Sequence, residues 1–129
     1  MELLHEELTD VIIKTFYEVY NELGYGFLER VYLNSLYLEL KSKGLNVEAQ
    51  RKIEVYYKGI EVGKYYADLI VENLVILELK AADSIVPAFE NQMLNYLRGT
   101  NCEVGLLLNF GNKPEFRRKV FENYRKIRK

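Results

Sequence analysis

The segment Leu74-Val75-Ile76-Leu77-Glu78-Leu79-Lys80-Ala81 is apolar at nearly every position, the pattern of a strand covered on both faces of a sheet, yet it carries a carboxylate and an ammonium. Few folds can accommodate it. An unpaired carboxylate removed from water costs several kcal/mol, so Glu78 needs a partner, a cation or a wet recess. Because side chains alternate along a strand, Glu78 and Lys80 leave it on the same face.

The run Tyr65-Tyr66-Ala67-Asp68-Leu69-Ile70-Val71 precedes it, with Glu72-Asn73 as the turn between them. A two-residue turn sets Asp68 opposite Leu77. A three-residue loop, Glu72 to Leu74, sets it opposite Glu78. Only the second register pairs Leu69 with Leu77 and Val71 with Val75 on one apolar face, leaving Asp68, Glu78 and Lys80 together on the other. Two carboxylates about 5 Å apart repel by roughly 3 kcal/mol at an effective dielectric near 20, which Lys80 offsets in part and a divalent cation would offset further. The spacing alone is weak, and a plain Glu78–Lys80 salt bridge with Asp68 at a strand end is the bland alternative.

Around this pair the chain reads as an α/β protein. Leu8, Ile12, Phe16, Val19, Tyr20 and Leu23 recur at three and four before Gly24-Tyr25-Gly26, predicting a first helix. Leu28, Val31, Tyr32, Leu36 and Leu40 predict a second, stopped at Gly44. Val55-Tyr56-Tyr57, the turn Lys58-Gly59 and the two strands above form a meander. A third helix is expected from Ala88 to Arg98, capped by Asp83-Ser84 with Pro87 near its first turn, then a strand from Glu103 to Phe110. Phe116, Val120, Tyr124 and Ile127 suggest a terminal helix over Pro114–Lys129, giving the order ααβββαβα and a mixed central sheet flanked by helices in one domain, 1–129.

Composition excludes several chemistries. His5 is the only histidine and sits near the terminus, so a Ser-His-Asp triad, a Cys-His pair or a His-rich zinc site is not expected. Cys102 is the only cysteine, which excludes an internal disulfide and fits a reducing compartment. The charged start of the chain and its short apolar runs suggest no export signal or membrane span, so a cytoplasmic location is expected. With 18 basic against 19 acidic residues, polyanion binding must come from a local patch.

The strand pair YADLIVENLVILELKA resembles the PD-(D/E)xK nuclease superfamily, with Ala67 in place of the motif's proline. GFLERVY supplies Gly26, Glu29 and Tyr32 and is similar to the signature of the GxxExxY family within it, while Gln92 and Tyr96 in QMLNYL resemble the QxxxY element of a RecB-like branch. The resemblance implies a restriction-endonuclease-like core and metal-assisted phosphodiester hydrolysis. Asp68 and Glu78 would bind Mg²⁺ or Mn²⁺ through oxygen, with the Leu79 backbone carbonyl and Glu29 nearby. Lys80 would orient water or stabilise developing charge, and Gln92 and Tyr96 would face a phosphate or the attacking water.

Arg51 and Lys52, and in the terminal segment Arg117, Arg118, Lys119, Arg125, Lys126, Arg128 and Lys129, are candidate phosphate contacts, although such a run is more often a solvated face. DNA is the expected substrate ahead of RNA, with any base specificity left to dimerisation or a separate targeting partner. The competing reading is a non-catalytic nucleic-acid or protein interaction module that keeps the fold and the acidic site.

Overall fold

The computed structural model describes residues 3–126, so Ile127, Arg128 and Lys129 lie outside the described residues. The element order is α1 (Glu6–Leu23), α2 (Glu29–Ser42), β1 (Val47–Tyr57), β2 (Ile60–Val71), β3 (Val75–Lys80), α3 (Pro87–Arg98), β4 (Val104–Phe110) and β5 (Pro114–Val120), then a short 3-10 turn at Asn123–Arg125. The five strands form one sheet in the order β1-β2-β3-β4-β5. β3 and β4 are parallel, joined by the α3 crossover, and the other neighbours are antiparallel.

Each face of the sheet is covered by different helices. Ile12, Phe16 and Val19 of α1 and Tyr32, Leu36 and Leu40 of α2 pack on Leu69, Val71, Leu77, Leu79, Leu106 and Leu108. Met93, Tyr96 and Leu97 of α3 pack on Ile53, Ala67, Ile70 and Ile76 on the other side. β3 and β4 are therefore buried on both faces, as their near-continuous apolar sequence requires.

Turn chemistry sets the meander. Lys58 and Gly59 both take positive φ between the paired residues Tyr57 and Ile60, the arrangement of a two-residue hairpin. Glu72 and Asn73 also have positive φ, and the Leu74 N–H donates to the Val71 carbonyl at 2.9 Å. Val71 then pairs with Val75 across the three-residue loop, and Leu69 with Leu77, the register expected from the apolar residues.

Two local expectations are corrected. Residues 114–120 form an edge strand, so the order is ααβββαββ and no terminal α-helix follows among the described residues. The cause is the period: Phe116 and Val120 are four apart, a spacing that fits one helix face and equally one strand face. Pairing β5 with β4 satisfies the backbone of a strand that would otherwise be a buried edge, and Arg117, Arg118 and Lys119 suit an edge strand. Asp83-Ser84 also does not cap α3, whose N-cap is Val86, with Pro87 opening the helix.

Beyond Lys80 the chain leaves the sheet, and Asn109 takes over as its partner. This buried side chain accepts from the Ala82 N–H and donates to the Ala82 carbonyl, both at 3.0 Å. Gly111 makes room for the contact, since a Cβ there would lie 2.4 Å from the Ala82 carbonyl oxygen. Gly111→Ala is therefore expected to lower stability by about 1–3 kcal/mol, read as a shift of the urea midpoint; an unshifted midpoint would show that this approach is not tight.

Candidate metal centre

The β2–β3 ladder stops short of its acidic pair. Leu69, Ile70 and Val71 pair with Leu77, Ile76 and Val75. One step further, where Asp68 meets Glu78, side chains replace backbone carbonyls as acceptors. The Asp68 N–H donates to Glu78 Oε2 at 2.8 Å, and the Leu79 N–H donates to Asp68 Oδ2 at 2.9 Å. Each carboxylate is thus tied to the opposite strand. Asp68 Oδ1 and Glu78 Oε1 take no hydrogen bond among the described residues, and neither is a buried atom lacking a partner.

Strand β1 is irregular at the same level. Gln50, between Ala49 (paired with Leu69) and Arg51 (paired with Ala67), has φ 56°, a left-handed conformation that is uncommon for glutamine. On β2, Ala67 and Ile70 both join the α3-side core although they are three positions apart, so strict alternation breaks at Asp68.

The environment raises all three acids. Glu78 is 4% exposed. Burial first, then the charge of Asp68, pushes its pKa up to about 8, with the Asp68 N–H and Lys80 pulling the other way and Glu29 adding to the rise. Burial likewise raises Asp68 against the Leu79 N–H and Lys80. Glu29, the first residue of α2, is raised by loss of hydration, lowered by Lys80 and raised by Asp68, which places it at the rim of the same field. These acids do not form a ready-made cage: no group of three or more His, Cys, Asp or Glu side chains among the described residues could hold a metal ion.

Lys80 is held on the α3 side. Its Nζ donates to Gln92 Oε1 at 3.2 Å and stands 4.7 Å from the Phe89 ring centroid, a cation–π contact. It forms no ion pair with Glu78 among the described residues, so the plain structural salt bridge is absent. Tyr96, one turn beyond Gln92, has its hydroxyl pKa pushed up to about 12 by burial and then by Glu78 and Asp68, so it stays protonated. The structure thus brings Asp68, Glu78, Lys80, Gln92 and Tyr96 together, with Glu29 at the edge.

Gly26 and Tyr32 act on backbone. The Tyr32 hydroxyl donates to the Gly24 carbonyl at 2.6 Å and accepts from the Phe27 N–H at 3.2 Å, while its ring stacks on Phe110 at 4.2 Å. Gly26, at φ 111°, lets the loop turn inside this clamp.

The basic candidates do not share one surface. Arg118 donates to Thr9 Oγ1 and to the Leu4 carbonyl on the α1 side, while Lys119 pairs with Glu90 of α3 at 2.5 Å. Arg117 is exposed on the edge strand, and Arg125 lies over the Phe121 ring. Lys126 is buried, its ammonium donating to the Thr100 and Cys102 carbonyls. Arg51 and Lys52 lie on the β1–β2 hairpin. Sequence reasoning missed Phe89 and Asn109; a lone asparagine in the apolar run Val104–Phe110 was the available signal for the second.

The profile of the PD-(D/E)XK nuclease superfamily matches residues 6–119. The chain belongs to the PD-(D/E)XK nuclease superfamily. A crystal structure of a protein named SSO0001 has a similar fold, with a TM-score of 0.55 and 20% identity, covering 72% of this chain and 50% of the other. The chain thus spans half the length of that protein. No curated protein matches it significantly. Among the described residues, no helix is long and apolar enough to cross a membrane. Membership makes this a nuclease-like protein of a superfamily whose members generally use divalent metal ions.

The raised Glu78 gives the acidic pair a pH signature. Below about 4.5, the ordinary value, Glu78 is protonated folded or unfolded and costs nothing. Above it the unfolded chain ionises while the folded chain resists, so stability is progressively lost until about 8. In EDTA, Glu78→Gln is expected to raise the melting temperature above pH 8, by on the order of a few kcal/mol in stability, with the gap closing below pH 4.5. A gap that does not vary with pH would mean that folding leaves the Glu78 pKa at its ordinary value.

Proposed function

We propose that the protein is a divalent-metal-dependent nuclease that hydrolyses phosphodiester bonds in DNA, with RNA the less favoured substrate. The observation that carries this is the reciprocal tie of Asp68 and Glu78 to opposite strands. It fixes two carboxylates side by side, each with one oxygen left over, on a face where Lys80 is also held.

An all-oxygen donor set crowded with negative charge fits a hard divalent cation such as Mg²⁺ or Mn²⁺. Asp68 and Glu78 would hold it with the Leu79 backbone carbonyl, and Glu29 is a further acid at the rim. Such a cation supplies charge neutralisation at the phosphate and a lowered pKa for the attacking water. The protein's own groups do the rest. Lys80, kept in place by Gln92 and Phe89, stabilises the negative charge that develops on the phosphate oxygens as water adds to phosphorus and one P–O ester bond breaks. Tyr96, neutral at physiological pH, is a hydrogen-bond donor toward the same charge.

The finer assignments belong to the same reading. Gly26, Glu29 and Tyr32 support the GxxExxY group, because a glycine loop clamped by the tyrosine delivers the glutamate to the acids. Gln92 and Tyr96 support the RecB-like branch, since one holds Lys80 and the other faces the carboxylates. A cytoplasmic location, one domain, and dimerisation or a targeting partner for specificity complete it.

The test is incubation of the purified protein with labelled single- and double-stranded DNA and RNA, with Mn²⁺ or with EDTA. Cleavage is expected only with the metal, and Asp68→Ala and Lys80→Ala are each expected to lower it on the order of 100-fold or more. Cleavage that persists in either variant or in EDTA would overturn the reading. Gln92→Leu is expected to weaken cleavage less than Lys80→Ala does, because it frees the ammonium without removing it; an equal loss would give Gln92 a role of its own at the phosphate.

A further inference from the structure

Between the β1–β2 hairpin and the C-terminal end of α3 runs a groove of about 1140 Å³. Four of its lining residues are basic, Arg51, Lys52, Lys58 and Arg98, and one is acidic, Glu54. That balance stands out on a chain of net charge −1. Glu54 accepts a hydrogen bond from the Tyr56 hydroxyl at 2.8 Å. The acids that engage Arg51 and Lys52, Glu48 and Glu61, stand outside the lining and form half-exposed pairs at 3.3 and 4.0 Å, a weak class of contact that a polyanion can displace.

The groove is connected to the acidic pair. Tyr65 lines it, is 47% exposed, and its ring lies 5.3 Å from that of Tyr96. Tyr96 in turn lies within the field of Glu78 and Asp68. A partly exposed aromatic ring beside clustered cations is the pattern that holds unpaired bases: stacking needs a base whose face is free, and the cations track the backbone. The depth of Glu78 also favours a strand thin enough to bend into the recess.

We propose that this groove binds a single-stranded polynucleotide, its phosphates on Arg51, Lys52, Lys58 and Arg98 and a base on Tyr65, and leads it to the Asp68–Glu78 pair. The last clause rests on the nuclease reading; the binding does not.

The test is fluorescence anisotropy in EDTA with a short labelled oligodeoxynucleotide, the matching oligoribonucleotide and a duplex. Tight binding to either single strand, weaker binding to the duplex, is expected. Combining Lys58→Glu with Arg98→Gln should weaken it about tenfold or more at low salt and reduce the slope of log affinity against log salt by roughly 1.4, for two phosphate contacts. Tyr65→Ala should weaken it without changing that slope. Melting temperatures check that the variants fold, and Lys58→Ala alone, at an exposed turn, repeats the test if the double variant is unstable. Unchanged affinity in the folded groove variants, equal binding of the duplex, or no binding by the parent protein overturns the proposal. Lys80→Ala separates the two readings: it should lower cleavage on the order of 100-fold or more, while the binding that remains still depends on Lys58, Arg98 and Tyr65. Groove-dependent binding without cleavage by the parent would sink the nuclease reading alone; cleavage at subsaturating substrate unaffected by the groove variants would sink the groove alone.

Discussion

The exchange of hydrogen bonds between Asp68 and β3, and between Glu78 and β2, is the constraint on which the site depends. In an ordinary antiparallel pair these N–H groups would donate to carbonyls across the ladder; here they donate to carboxylates. The substitution lets the strands part at this level without leaving either donor unpaired. It also requires that the two acids stand opposite each other, which only the three-residue loop after Val71 allows. A slip of one residue would turn Asp68 into the α1–α2 core and leave Glu78 buried with no donor.

The arrangement is costly, and its surroundings show where the cost is met. Glu78 is buried beside a second acid, and the charged lysine nearby is directed to Gln92 and Phe89 rather than to either carboxylate. A salt bridge at that point would stabilise the protein better, but it would neutralise the oxygens and occupy the lysine together. Holding Lys80 from the α3 side keeps its charge in the field of both acids while leaving their free oxygens open. The stabilising burial lies elsewhere, in the apolar packing of α1 and α2 against the opposite face of the same strands.

Much of this was legible in the sequence because the core is written in apolar alternation. Leu69 with Leu77 and Val71 with Val75 define the register, and the register defines which face the acids share. The reading fails where one pattern serves two periods. Phe116 and Val120 satisfy a helix and a strand alike, and only the unpaired edge of β4, invisible until the sheet is assembled, decides for the strand. The terminal basic residues, readable as one solvated face, are dispersed for the same reason: strand alternation sends Arg118 to α1 and Lys119 to α3, and Lys126 turns inward to carbonyls. Gln92 and Tyr96 were visible as an i, i+4 pair, but that the first holds Lys80 needs the packing of α3 on β3. Arg98 and Lys58 gave no signal at all, because a groove between a hairpin and a helix end joins residues that no sequence spacing relates.

The pattern Gly26, Glu29, Tyr32 shows how a short motif can be mostly scaffolding. Only Glu29 reaches the field of the acids. Tyr32 clamps the loop before α2 and stacks on Phe110, the last residue of β4. Tyr20 of α1 donates to the carbonyls of Gly111 and Asn112 just beyond, both at 2.8 Å. Gly111 and Asn109 grip Ala82, which fixes the chain where it leaves β3 after Lys80. The C-terminal end of β4 is therefore the post to which both covering helices and the exit of β3 are fastened. Glu29 and Lys80, far apart in sequence, hold their places about the acids because they are fastened to the same post.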